Sequence, residues 1–370
     1  MAHDPYRALY IHIPFCKSRC AYCDFTTSAI DRESAEIDAY IENLIIDIRR
    51  KSKAGELGHI KTIYIGGGTP SYIGLKRLSS LLYGISLSVI TTREDMEWSM
   101  EANPESLDER MVKDIWAMGV NRLSIGVQSF DDEVLRTLGR AHDSGMAVEA
   151  IRNAQTRFEN ISIDLMCGIP GQTARSFRAS VRRAIELGVS HVSIYPLTIE
   201  DHTPFHNQVV AGIIDEPDDD VEAEHMKIAE EELTAAGFKR YEVASYAKPG
   251  FECRHNIAYW TGVPYIGFGL SAATMTQNGE RRMRIQDGYV TDDLSRAQRE
   301  AEDLMLGMRM TRGVSFGRID EAKQWLSGVD DTLDRLQADG LITKTESGFE
   351  PTEKGWLCGN ELYGALFDLA

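Results

Sequence analysis

The chain has 370 residues, with 40 Lys and Arg against 57 Asp and Glu, a formal charge of −17. That length suggests one large domain with one or two smaller ones, and a hydrophobic share of 43% is ordinary for a globular protein with a sizeable core. The acidic balance argues against a nucleic-acid partner, which needs concentrated Lys and Arg, and no apolar run approaches the ~20 residues of a membrane span. The opening MAHDPYRALYIHIPF lacks a basic region followed by an apolar one, so no secretory signal is read from it. Three of the six cysteines, Cys16, Cys20 and Cys23, crowd one short segment, while Cys167, Cys253 and Cys358 are scattered. A secreted disulfide framework is short, Cys-dense and evenly spread. A reducing cytoplasm is the expected compartment.

In chain order, β-rich runs fall at 8–14, 62–67, 96–104, 122–129, 161–170 and 191–200. Between the first two, Ile37, Tyr40, Ile41, Leu44, Ile45 and Ile48 recur at helical spacing and predict one apolar face of an amphipathic helix. A comparable pattern occupies 173–187. Strand then helix, repeated about six times, means parallel strands joined by crossover helices. The fold class is therefore α/β, with a partial (β/α)6 barrel over 1–200. Residues 201–290 begin with an acidic loop that runs on into a helix, followed by short strands punctuated by Gly and Pro, and are expected to cover the barrel. Residues 291–370 read as a helical domain with a hairpin at 341–352, which is winged-helix-like. Nothing basic lines its candidate recognition helix TLDRLQADG, so no nucleic acid is expected.

Cys16, Cys20 and Cys23 follow the first strand directly. Three thiolates on one tight loop can hold three irons of a 4Fe–4S cube, and with no fourth Cys nearby one iron stays open for an exchangeable ligand. Structural zinc is the alternative, but it usually adds a second Cys or His pair downstream. In a β/α barrel, functional groups gather at the carboxyl ends of the strands. There the sequence places Gly66, Gly67, Gly68 and Thr69 after the second strand, Glu101 on the third, Gln128 and then Arg140 after the fourth, and Asp164 on the fifth. Each alone is more often structural; together they predict one polar ligand cavity.

The spacing C-x3-C-x2-C, with an aromatic before the last Cys, resembles the radical S-adenosylmethionine (SAM) enzymes. In that family SAM chelates the open iron through its amino and carboxylate groups, and an electron from the cluster cleaves it to methionine and a 5′-deoxyadenosyl radical. The segments YIHIPFCKSRCAYCDF, YIGGGTPS, EANPE, SIGVQSF, LGRAH and DLMCGIPGQT narrow the resemblance to the oxygen-independent coproporphyrinogen III oxidase-like branch, over nearly the whole chain. The resemblance implies that Tyr10, Tyr22, Gly67, Gly68, Thr69, Glu101, Gln128, Arg140 and Asp164 contact SAM. Arg140 would take the SAM carboxylate, and Asp164 or Glu101 the ribose hydroxyls.

Two members of that branch compete. The dehydrogenase, which oxidatively decarboxylates propionates in haem biosynthesis, usually has a further Cys two residues after the third. It also has a longer segment before the cluster loop. Here Phe25 stands at the Cys position. The haem chaperone paralogue has CDF there and an H-N-x-x-Y-W motif, present as His255-Asn256-Ile257-Ala258-Tyr259-Trp260. The resemblance therefore implies a protein that binds haem through His255, with Cys253 as the alternative ligand and Tyr259 and Trp260 beside the porphyrin. Haem would pass to acceptors such as respiratory enzymes, and a homodimer is expected. Residue types leave open whether SAM is cleaved catalytically.

Overall fold

The computed structural model describes residues 3–89 and 96–370. Six parallel strands, β1 (Ala8–Ile13), β2 (Thr62–Gly67), β3 (Glu97–Ala102), β4 (Arg122–Gln128), β5 (Asn160–Cys167) and β6 (His191–Pro196), pair in chain order. Leu9, Ile11, Ile63, Ile65, Leu123, Ile125, Val192 and Ile194 are all buried, as expected for parallel strands covered on both faces. Helices α1 (Ala35–Lys53), α2 (Leu75–Ser86), α3 (Glu109–Ala117), α4 (Asp132–Thr137), α5 (Ser144–Gln155) and α6 (Ala174–Glu186) lie between them in sequence. Ile37, Ile41, Leu44 and Ile48 of α1 are buried on the predicted stripe, and Ser34 caps the helix by accepting from the Glu36 amide. Helix α6 starts with a capping box between Thr173 and Ser176. The partial (β/α)6 barrel read from periodicity is the observed fold.

Residues 201–290 do more than cover this barrel. After α7 (Pro204–Val210) and α8 (Asp219–Ala235), strands β7 (Lys239–Arg240) and β8 (Ser245–Ala247) join antiparallel beyond β6. Strand β9 (Tyr265–Phe268) then pairs parallel with β1 at the opposite edge. It is followed by the antiparallel β10 (Ala273–Gln277), β11 (Arg282–Gln286) and β12 (Tyr289–Leu294). Among the described residues the main sheet has twelve strands. The chain that runs from one edge to the other carries α9 (Arg254–Trp260). That helix is anchored at the amino ends of the barrel strands. Glu97, at the start of β3, accepts from the Arg254 and His255 amides at 2.8 and 3.0 Å, and Thr62, at the start of β2, bonds the His255 ring at 2.9 Å. The H-N-x-x-Y-W motif thus approaches the barrel from the amino ends of its strands.

The last part of the chain has its own apolar cluster, including Leu304, Met308, Val314, Leu333, Leu336, Phe349, Leu362 and Leu366. It consists of α10 (Arg296–Gly307), α11 (Phe316–Ala322), α12 (Val329–Ala338), an antiparallel hairpin of 342–344 with 348–351, α13 (Glu353–Leu357) and α14 (Gly359–Phe367). A buried charge seam joins it to the sheet. Arg282 of β11 pairs with Glu302 at 2.6 Å and Asp303 at 2.7 Å, and Arg284 pairs with Glu302 at 2.7 Å.

Candidate functional site

The cysteine loop is pinned at several points. Phe15–Cys16 pairs in parallel with Ser28–Ala29, which closes 17–27 into a tight excursion. The Ala21 amide donates to the Leu138 carbonyl at 3.0 Å, and the Phe205 amide donates to the Ala21 carbonyl at 2.9 Å. All three thiols line one cavity of about 430 Å³ at the carboxyl ends of the barrel strands. All three receive donors: the Thr69 hydroxyl reaches Cys16 Sγ at 3.4 Å, Arg140 Nη1 reaches Cys20 Sγ at 3.3 Å, and Cys23 has hydrogen bonds from Phe25 and Thr27. Burial pushes the Cys16 thiol up to about 11 and also raises Cys23. A cluster that needs thiolates must therefore supply the compensating positive charge itself. Three half-buried thiols on one wall, each with donors aimed at sulfur, suit an iron–sulfur cube, whose sulfurs accept such bonds.

The polar walls of the same cavity come from successive strand ends. Gly67 has φ +104°, and a Cβ there would sit 2.3 Å from the His12 ring; one on Gly68 would meet the Ile13 carbonyl oxygen at 2.7 Å. Only glycine allows β2 to end this close to β1. The Gly67 amide and the Tyr64 hydroxyl each donate to Glu101 at 2.9 Å. Burial, reinforced by Asp164, lifts Glu101 to about 7, and burial lifts Asp164 to about 6. Ser124 donates to Asp164 at 3.3 Å. Gln128 adopts φ +64° where the β4–β5 register shifts. Arg140 Nη2 is held by Asn103 Oδ1 and the Gly126 carbonyl, both at 2.7 Å, while Nη1 also approaches the Tyr22 hydroxyl at 3.4 Å. The cavity therefore brings together Cys16, Cys20, Cys23, Tyr22, Gly67, Gly68, Thr69, Glu101, Gln128, Arg140 and Asp164. Tyr10 stands behind this wall, with its ring over Tyr64 at 6.3 Å and its hydroxyl 3.0 Å from His12 Nδ1.

Sequence reasoning missed Tyr64 and Ser124, which hold the two carboxylates, and two further residues here. Asn103 bridges Arg140 and Thr69, and its only signal was its place two residues after Glu101 in EANPE. Arg122 starts β4, yet its side chain lines the cavity, 2% exposed and with no hydrogen-bond partner for Nε. Nothing in RLSIGVQS separates it from a surface arginine.

His255 is 1% exposed and lies outside the cavity, although its neighbour Asn256 lines it. Its Nδ1 bonds Thr62, its Nε2 lies 3.2 Å from the Tyr259 hydroxyl, and its ring stacks on Tyr64 at 5.1 Å. Burial lowers it to about 3, so the imidazole is neutral. Cys253 is fully buried with its thiol 3.6 Å from Glu97, and Trp260 donates to Glu242 at 3.2 Å.

Comparison with known proteins gives the family. The radical SAM superfamily model matches residues 10–184, and that of the HemN C-terminal domain matches 294–358. Heme chaperone HemW of Bacillus subtilis (strain 168) is 36% identical, with 97% of this chain and 99% of that protein covered. Heme chaperone HemW of Escherichia coli (strain K12) is 39% identical over 74% of this chain and 71% of its own length. Among solved structures, coproporphyrinogen III oxidase (HemN) from Escherichia coli, a radical SAM enzyme, superposes with a TM-score of 0.79. It covers 99% of this chain and 90% of that one at 23% identity, a likeness of fold.

Proposed function

The chain belongs to the heme chaperone HemW family of the radical SAM superfamily, and from that premise we propose that it binds haem and delivers it to haem-requiring proteins, using a SAM-coordinated 4Fe–4S cluster. The observation that carries the cluster reading is the single cavity that collects three thiols with the Arg140 guanidinium and two half-buried carboxylates. Cys16, Cys20 and Cys23 would hold the cluster, which supplies an electron source and one open iron for SAM. Arg140 is locked by Asn103 and Gly126 so that its other nitrogen faces Cys20, the position from which it would take the SAM carboxylate. Glu101 and Asp164 would accept from ribose hydroxyls, and the three glycines would let the ligand approach the backbone. A cavity of about 430 Å³ suits a ligand of that size.

Phe25 favours the chaperone over the dehydrogenase: it lines the cavity rim and is 69% exposed, where the dehydrogenase usually has a cysteine. In the same reading His255 is the haem ligand, and its neutral imidazole is the form that binds iron. Both ring nitrogens are already hydrogen-bonded, so ligation requires His255 to leave Thr62 or Tyr259. Among the described residues no helix is long and apolar enough to cross a membrane; the proposed setting is the cytoplasm, as a homodimer that passes haem by protein contact.

Haem titration of wild type and His255→Ala, followed at the Soret band, tests the haem reading; tighter binding by wild type is expected, and equal binding removes His255 as the ligand. Anaerobic incubation with coproporphyrinogen III, SAM and a reductant is expected to give no protoporphyrinogen, and appreciable decarboxylation would make the protein the dehydrogenase.

A further inference from the structure

The cavity holds an oriented chain of hydrogen bonds that connects two of the thiols through one neutral side chain. Arg140 donates through Nη2 to Asn103 Oδ1 at 2.7 Å. Asn103 donates through Nδ2 to Thr69 Oγ1 at 2.9 Å. That bond occupies a lone pair of the Thr69 oxygen and leaves its proton for Cys16 Sγ at 3.4 Å. At the other end, Arg140 Nη1 donates to Cys20 Sγ at 3.3 Å. The direction of every bond follows from the amide: its oxygen can only accept from the guanidinium, and its nitrogen can only donate to the hydroxyl. Chains of this kind strengthen one another in a low-dielectric interior.

Asn103 is well placed for the task. It follows β3 immediately, and Pro104 after it fixes the backbone exit. The Ser71 hydroxyl accepts from its backbone N–H at 3.4 Å, tying it to the turn that carries Thr69. Cys23 stands outside the chain, with its hydrogen bonds coming from Phe25 and Thr27. We propose that Asn103 is a positioning residue for the iron–sulfur centre, orienting the donors to Cys16 and Cys20 together and so setting the reduction potential of the cluster. This rests on the cluster assignment above and deepens it. A donor to a ligating sulfur stabilises the more negative, reduced cluster, so hydrogen bonds to sulfur raise the potential. Losing the amide frees the Thr69 hydroxyl to turn away from Cys16 and loosens Arg140 from Cys20, which lowers it.

The test uses the full chain without SAM. Wild type, Asn103→Ala, Thr69→Val and Thr69→Ser are reconstituted anaerobically, iron and sulfide are counted, and midpoint potentials and EPR spectra of the reduced cluster are recorded. Iron loading of wild type equal to that of Cys20→Ala would overturn the cluster assignment itself. With clusters loaded, Asn103→Ala is expected to shift the potential downward by more than Thr69→Val does, with altered EPR g-values, and Thr69→Ser is expected to restore the wild-type potential. A loaded Asn103→Ala with wild-type potential and spectrum overturns the proposal. If Asn103→Ala does not fold, the Thr69 pair decides: a downward shift in Thr69→Val rescued by Thr69→Ser supports the chain of donors, and an unshifted Thr69→Val refutes it.

Discussion

The cavity at the barrel mouth and the seam beneath α10 both bury charge, and they handle it in opposite ways. In the seam each carboxylate has guanidinium partners: Glu302 meets Arg282 and Arg284, Asp303 meets Arg282 and Arg318, and Glu300 meets Arg296 and Arg318. In the cavity Glu101 and Asp164 line the same wall and are satisfied by a hydroxyl or an amide, and both are lifted well above the ordinary carboxylate range. Arg122 nearby leaves its Nε unpaired. Paired buried charge fixes an interface, whereas buried charge left short of partners in a cavity is what a ligand site leaves for its ligand.

The largest effects should separate the two regions. Cys20→Ala is expected to abolish the 4Fe–4S absorbance and EPR signal of reconstituted protein while leaving the melting temperature of the apo chain unchanged. Retention of the cluster would show that the cavity thiols do not hold it. Arg282→Met should do the reverse. It takes one guanidinium partner from each of Glu302 and Asp303, in a site where the arginine is 1% exposed, and breaking such a buried pair costs up to about 3–5 kcal/mol. Chemical denaturation should show that loss, with normal cluster content in the protein that remains folded. A melt equal to wild type would mean that the seam contributes nothing to holding the two parts together.

This contrast also explains what could be read from sequence. The six strands and the α1 stripe were legible because buried parallel strands and amphipathic helices write their period locally. The cysteine loop was legible because its spacing is compact. The sheet edges were not: β1 pairs with β9, Ala8 opposite Tyr265, and no local pattern announces a partner so far along the chain. For the same reason the H-N-x-x-Y-W segment read as a motif without a place, and only the edge-to-edge crossing shows that it is anchored at the amino ends of the strands. Asn103 and Arg122 were missed on other grounds. A neutral amide carries no charge to single it out, and nothing local separates an arginine at the start of a strand from one that reaches solvent.

A smaller effect sharpens the cavity side. Glu101→Gln keeps an acceptor for Tyr64 and Gly67 but removes the buried charge. SAM binding should weaken about tenfold, the loss of one hydrogen bond to a charged group. The folded-state value of about 7 lies above the ordinary 4.5, so the folded protein holds the proton more tightly than the unfolded chain does. The stability due to Glu101 is thus fully present below pH 4.5 and is lost as the pH rises through about 7. Denaturant melts of the apo protein across that window should fall with pH in wild type and fall less steeply in Glu101→Gln, where Asp164, lifted to about 6, still contributes. Equal slopes would mean that Glu101 is solvated in the free protein.

The smallest effect lies at the amino end of β2, where a structural bond and the proposed haem ligand coincide. Thr62→Val keeps the shape of the side chain and removes the 2.9 Å bond to His255 Nδ1. Both residues are buried, so the folded protein should lose about 1 kcal/mol. If haem uptake first requires the ring to leave Thr62, that same loss is no longer paid on binding, and haem should bind up to about fivefold more tightly. Haem titration of Thr62→Val against wild type measures it. Binding that is unchanged or weaker would mean that His255 keeps Thr62 while it holds haem, and that the bond to Tyr259 is the one that opens.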